Sequence, residues 1–360
     1  GVPEWKDEYG SKAAASLEPR SGSVATNIDH EELTRTPLSS VLSRAKELSG
    51  RSTDFFVRND PFSGLAAERP ARAFAALTHA ASEGEFPEWA WQKFLNSGAQ
   101  RSDKQRLAWL IAERLASYPD DRLAAIVVPA SDWLWGNSAK LDTNCLPTFD
   151  RIVTKLIGVL HKFPSVGKSG IVRGSGGPDW AMEAINSPTG KIAEALLNDP
   201  RKNDLTQGQG FPSEWLAYVE ALLALPHGLR RHSLVILFHN LNWLFAIDPK
   251  WTGQHLLPIL RADETEDRDA AWAGFLWGAR VPNRDLFMLL KSDMLEFAAR
   301  PLPSRRSYVE IIAGMILAGW GTIDDITGQR FISNDEMHDL LLKVDDEFRS
   351  RILWQVERWL

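Results

Sequence analysis

Among the 360 residues, the side chains whose types and spacing could do chemistry are first an arginine and a histidine, Arg72 and His79. Seven positions are two helical turns, so on a helix both project from one face. A histidine that exchanges a proton beside an arginine that steadies a phosphate would suit metal-independent cleavage of a phosphodiester. His232 and His239 repeat the spacing, but no HExxH or comparable cluster supplies further ligands, so no metal site is expected. Gly167-Lys168-Ser169 has the ending of a phosphate-binding loop, yet Lys162 stands where that motif needs its first glycine. Pro188-Thr189-Gly190-Lys191 is followed by Ile192 instead of a hydroxyl residue. No nucleotide or other cofactor is expected. The acidic runs at Asp263, Glu264, Glu266, Asp267 and Asp269 and at Asp324 and Asp325 lack the alternating ligands and turn glycine of a calcium loop. No GxSxG nucleophile elbow occurs.

Arg72 and His79 together resemble the loose signature of helical metal-independent ribonucleases. The residue after the arginine is usually polar there, and here it is Ala73, so catalysis stands as an alternative reading only. A second set of candidates surrounds the glycine-rich stretch 163–178. Lys162, Lys168 and Arg173 make it locally positive, and Trp180 follows directly. These four are the candidate contacts for an anion or an acidic partner.

Helices must position both sets. Phe149, Ile152, Val153, Leu156, Ile157 and Leu160 form a single apolar stripe at helical spacing. Leu234, Leu237, Phe238, Leu241, Leu244 and Phe245 do the same, and Val235, Ile236 and Trp243 widen that stripe to nearly every face, which predicts a central buried helix. Phe86-Pro87-Glu88-Trp89, Phe211-Pro212-Ser213-Glu214-Trp215 and Asp248-Pro249-Lys250-Trp251 each place proline at a helix start with tryptophan just inside. Ser187-Pro188 predicts a capped start in the same way. Further helices are predicted at Pro70–Ser82, Ser102–Ser117, Asp120–Val128, Arg268–Trp277, Pro282–Ala299, Ser304–Trp320, Ser333–Lys343 and Asp346–Trp359, and clear alternating strands are absent. The fold class is therefore all-α. Short Gly, Pro, Asn or Asp breaks favour antiparallel pairs, and helix pairs of about 40 to 47 residues predict an irregular, HEAT-like α-solenoid over 36–360. A bend or subdomain break is expected near 163–178 or 199–212, and 1–35 reads as a linker or disordered segment.

Composition narrows the classes further. A net charge of −6 gives no general attraction to phosphate backbones, so nucleic-acid binding is not expected. The single cysteine, Cys145, excludes an internal disulfide and suits a reducing, cytoplasmic setting. Ser233–Ile247 is interrupted by His239, Asn240 and Asn242, and Ile311–Trp320 is too short for about 30 Å of hydrocarbon, so no membrane span is expected. Nearly all of the fifteen tryptophans lie on helical apolar faces, where core packing is the default over sugar stacking.

The stretch Gly174–Leu197, GSGGPDWAMEAINSPTGKIAEALL, carries one resemblance to a known family. From Trp180 to Leu197 it resembles a segment in the C-terminal helical domain of bacterial anti-phage proteins whose N-terminal domain is sirtuin-like. That resemblance implies a sensor that recognises a phage component, such as a structural protein, and controls an NAD-hydrolysing effector attached or associated with it. The chain lacks a glycine-rich sirtuin nucleotide motif, so any such activity would lie elsewhere and this chain would be non-catalytic. A ribonuclease using Arg72 and His79 and a general helical-repeat scaffold are the alternatives.

Overall fold

The computed structural model describes residues 25–51, 56–97, 105–140, 143–171, 173, 177–300 and 308–358. Gly174 and Gly176, the expected helix starts at Ser102 and Ser304, and residues 1–24 of the expected linker lie outside them. The chain divides into two compact units, Gly1–Ala99 and Gln100–Leu360.

In the first unit the helices are α1 (Glu31–Arg35), α2 (Val41–Leu48), α3 (Pro61–Glu68), α4 (Pro70–Ser82) and α5 (Glu88–Asn96). A small sheet accompanies them: β1 (Ala25–Asn27) runs parallel to β3 (Val57–Asn59), which pairs on its other side antiparallel to β2 (Gly50–Arg51). The expectation of a linker through residue 35 is thus corrected for 25–35. Leu33 of α1 is fully buried, and Arg72 of α4 donates its Nε to the Leu33 carbonyl at 3.1 Å and its Nη2 to that of Thr36. A short segment with little periodicity is ordered by what packs over it, not by its own pattern. Asp60 caps α3 by accepting the Ser63 N–H, with Pro61 at the first position. Phe74, Trp91 and Phe94 close the core of α4 and α5 by edge and stacked ring contacts.

The described elements of the second unit are helices, with an isolated bridge between Ile323 and Arg330. Its helices run α6 (Gln105–Ser117), α7 (Asp120–Ala125), α8 (Val127–Ser138), α9 (Leu146–Lys162), α10 (Trp180–Ile185), α11 (Pro188–Leu197) and α12 (Ser213–Leu223). They continue as α13 (Leu229–His239), α14 (Leu241–Ile247), α15 (Pro249–His255), α16 (Thr265–Trp277), α17 (Arg284–Ala299), α18 (Val309–Gly321), α19 (Asn334–Lys343) and α20 (Asp346–Glu357). The chain is an all-α protein. No helix among the described residues is long and apolar enough to cross a membrane.

The best-packed part is a row in which α8 touches α11, α11 touches α13, and α13 touches α16. Val235 lies against Gly274, and His239 lies against Trp277 and Gly278, so contacts advance in one direction along both helices and α13 and α16 run parallel. Their approach is backbone to backbone. A Cβ on Gly274 would stand 2.2 Å from the Val235 carbonyl oxygen, and one on Gly190 would stand 2.0 Å from that of Ala184. The central buried helix exists, with Ser233 to Phe238 all enclosed, but it ends at His239 and α14 begins anew at Leu241. Asn240 makes the break, its amide bonding back to the Ile236 carbonyl at 2.9 Å.

Both loops expected to bend or split the chain lie inside this second unit. Arg201 ties the loop after α11 back to α9 by holding Asp150 at 2.8 Å and Asp199 together.

Candidate functional site

Three basic residues lie in the first turn of α13, one residue after Gly228, whose φ of 81° places it in the left-handed region. Arg230, Arg231 and His232 therefore sit at the positive end of a helix dipole, where basic groups are disfavoured. The offset comes from the parallel neighbour. Asp267, buried in the first turn of α16, accepts from Arg230 and from Arg231 Nε at 2.9 Å. Arg231 also reaches Glu264 at 3.2 Å and Glu266. The acids are themselves favourably placed at the start of α16, so one set of ion pairs reconciles both helix ends.

The seam extends to α10, which packs on both α13 and α16. Asp179 caps α10 by accepting the Met182 N–H at 3.1 Å, and this aims Trp180 and Glu183 inward, where both are buried. Glu183 accepts both Nε and Nη2 of Arg173, at 2.9 and 3.0 Å, in the planar fork that guanidinium and carboxylate favour. The Arg173 guanidinium lies 5.2 Å from the centre of the Trp180 ring and 4.0 Å from Glu266. On the other side, His232 Nε2 stands 3.7 Å from Glu183, and His232 Nδ1 is enclosed without a hydrogen-bond partner. Burial lowers the His232 pKa below the ordinary imidazole value, outweighing the opposing pull of Glu183; Arg173 and Arg231 lower it further.

Beside this seam a groove of about 370 Å³ opens between α12, α13, the turn Leu257–Arg261 and the loop before α16. Its apolar wall includes Leu223, Leu234 and Ile259. Glu220, Glu264 and Asp267 supply carboxylates along it, with Arg230 and His255. Since Asp267 already holds Arg230, the charge left over is acidic. Such a groove suits a ligand with an apolar stem and a cationic end.

The residues singled out by sequence separate here. Arg173 and Trp180 belong to the seam. Lys162 instead pairs with Asp120 at 3.4 Å and lies over the Phe163 ring, while Lys168 is exposed and makes no ion pair among the described residues. The loop's positive charge is thus largely used internally. Arg72 and His79 do share α4, but the Arg72 guanidinium is occupied with the carbonyls that end α1. Glu183, Arg231 and Asp267 were missed, although two adjacent arginines in the first turn of a helix signal that acids must come from another helix. Among the described residues, no three His, Cys, Asp or Glu side chains are grouped to hold a metal ion.

Comparison with protein families, with curated proteins and with solved structures finds no match to this chain.

Proposed function

We propose that this chain is a non-catalytic recognition and regulatory domain that binds a phage protein and controls an NAD-hydrolysing effector, attached or associated, in anti-phage defence. The observation that carries the binding half is the groove with its surplus of carboxylates over an apolar wall. It lies against a seam whose side chains are already fixed by ion pairs, so little ordering is needed when a partner arrives. The regulatory half rests on the resemblance from Trp180 to Leu197. That stretch supplies Trp180 and Glu183 to the same seam, so the family-like segment and the groove are structurally joined.

The test uses the whole chain. It is expected to leave NAD intact by itself and to bind a purified virion structural protein through basic side chains. Reversing groove charge in Glu220→Lys, at an exposed carboxylate outside the seam, should weaken that binding by roughly tenfold or more, a loss of about 1.4 kcal/mol, with thermal unfolding unchanged. NAD loss in the presence of the isolated chain would remove the non-catalytic reading. Failure to bind virion proteins from varied phages, or binding indifferent to the charge reversal, would remove the groove as the sensing surface.

A further inference from the structure

A second cavity, of about 210 Å³, lies between the Leu257–Arg261 turn, α16 and α17, and three of its lining residues are arginines: Arg261, Arg268 and Arg300. Two carboxylates share it. Buried Asp293 is committed to Arg261, accepting Nε at 2.5 Å and Nη2 at 2.6 Å, and the more exposed Glu296 pairs with Arg300. Arg268 is different. Its Nη1 donates to the Ala262 carbonyl at 3.2 Å, its Nε is enclosed with no acceptor, and no carboxylate among the described residues lies within ion-pair distance of it. The neighbouring Asp269 does not replace that partner: burial raises its pKa above the ordinary carboxylate value, against the pull of Arg268. The opposite wall is aromatic and fixed. Trp272 stacks on Phe297 with ring centres 4.3 Å apart, and its indole N–H donates to the Leu260 carbonyl at 3.4 Å.

We propose that this cavity is a binding site for a single phosphate group, free or as a small phosphoester. The charge balance among the lining residues is positive by the one guanidinium that Arg268 leaves uncompensated. The geometry selects the anion. A planar carboxylate is satisfied by one guanidinium fork, as Asp293 already is by Arg261, whereas guanidiniums entering from the turn, from α16 and from the end of α17 offer donors in several directions, which a tetrahedral oxyanion can use. Arg300 is the more exposed member, and its pair with Glu296 faces water, where ion pairs are weak. The volume fits a phosphate with a few further atoms and is below that of common cofactor pockets.

The experiment follows the arginine Nε–H resonances of the full chain by NMR, assigned through Arg261→Lys, Arg268→Lys and Arg300→Lys. Inorganic phosphate at millimolar concentrations, a small phosphoester such as glycerol phosphate, acetate, and sodium chloride of matched ionic strength are the arms. Saturable shifts at Arg268 and Arg300 with phosphate and with the phosphoester are expected, with neither acetate nor chloride reproducing them. Saturation by phosphate alone would restrict the site to the free anion. Arg268→Gln should weaken phosphate binding by roughly tenfold or more. Arg300→Gln, at a more exposed position, gives the same test if the first variant unfolds. Unshifted resonances, a linear drift shared with chloride, or equal saturation by acetate would each overturn the proposal.

Discussion

At the scale of single residues, the molecule turns on how it neutralises charge that it has buried. His232 is enclosed among Glu183, Arg173 and Arg231, and burial holds its native pKa below the ordinary value. As pH falls, the unfolded chain takes up that proton first, so the contribution of neutral His232 is present above about pH 6.5 and is lost as pH drops through the native pKa. The urea midpoint is therefore expected to fall between about pH 7 and 5, and His232→Gln should flatten part of that fall. Equal falls in both proteins would show that other groups set the dependence. Glu183→Gln tests the same seam at neutral pH. It leaves Arg173 with only the longer contact to Glu266, and because Arg173 is about half exposed the expected loss is about 1–3 kcal/mol by denaturant unfolding, below the cost of a fully buried pair. Arg173 and Trp180 were legible in sequence because a basic, glycine-flanked loop before a tryptophan stands out. Glu183 was not, since an acid inside a six-residue helix looks like any solvated one until its neighbours are placed.

Helices were the most legible feature, and the reason is local. Pro70–Ser82 coincides with its expected range, and α11, α12 and α15 all start at or beside the prolines that predicted them, because cap and proline signals act within a single turn. Besides α1, two more of the described helices escaped. α8 follows α7 after Ile126 alone and is buried on most sides, so neither a polar break nor an apolar stripe marks it. α3 is short, and its Gly64 is a poor helix former kept because a Cβ there would meet the Ile28 carbonyl oxygen at 1.8 Å. The same logic separates two substitutions of identical chemistry. Gly274→Ala gains helix propensity but drives a methyl into the Val235 backbone, so it should destabilise by about 1–3 kcal/mol. Gly158, on the exposed side of α9 with nothing within 4 Å, should give the opposite sign as alanine, a gain of about 0.5–1 kcal/mol. Matched shifts of the urea midpoint in the two variants would contradict the close helix contact.

On the scale of the whole chain, the two compact units each carry a buried core of their own, with Phe62, Leu65, Leu77 and Trp91 in the first and Leu156, Val235, Leu276 and Phe287 in the second. Calorimetric unfolding is expected to require more than one component, and Phe62→Ala should move only one of them; a single two-state transition would contradict this. The place of the division was not legible. Glycine-rich and polar loops at 163–178 and 199–212 read as hinges, whereas Gly167 is buried against Leu160 and Leu229 and Arg201 bonds across to α9. Loop composition reports local backbone freedom, not the ion pairs that remove it. The parallel contact of α13 and α16 has a mechanical meaning as well. Ion pairs clamp the two helices at their beginnings, and further along α16 Gly274 seats one backbone directly on the other, so there is no side chain between them to act as a bearing. Sliding would have to break both at once. A push delivered at the groove end must therefore travel down the pair as through a strut, arriving at His239 and Trp277 as displacement and not as shear.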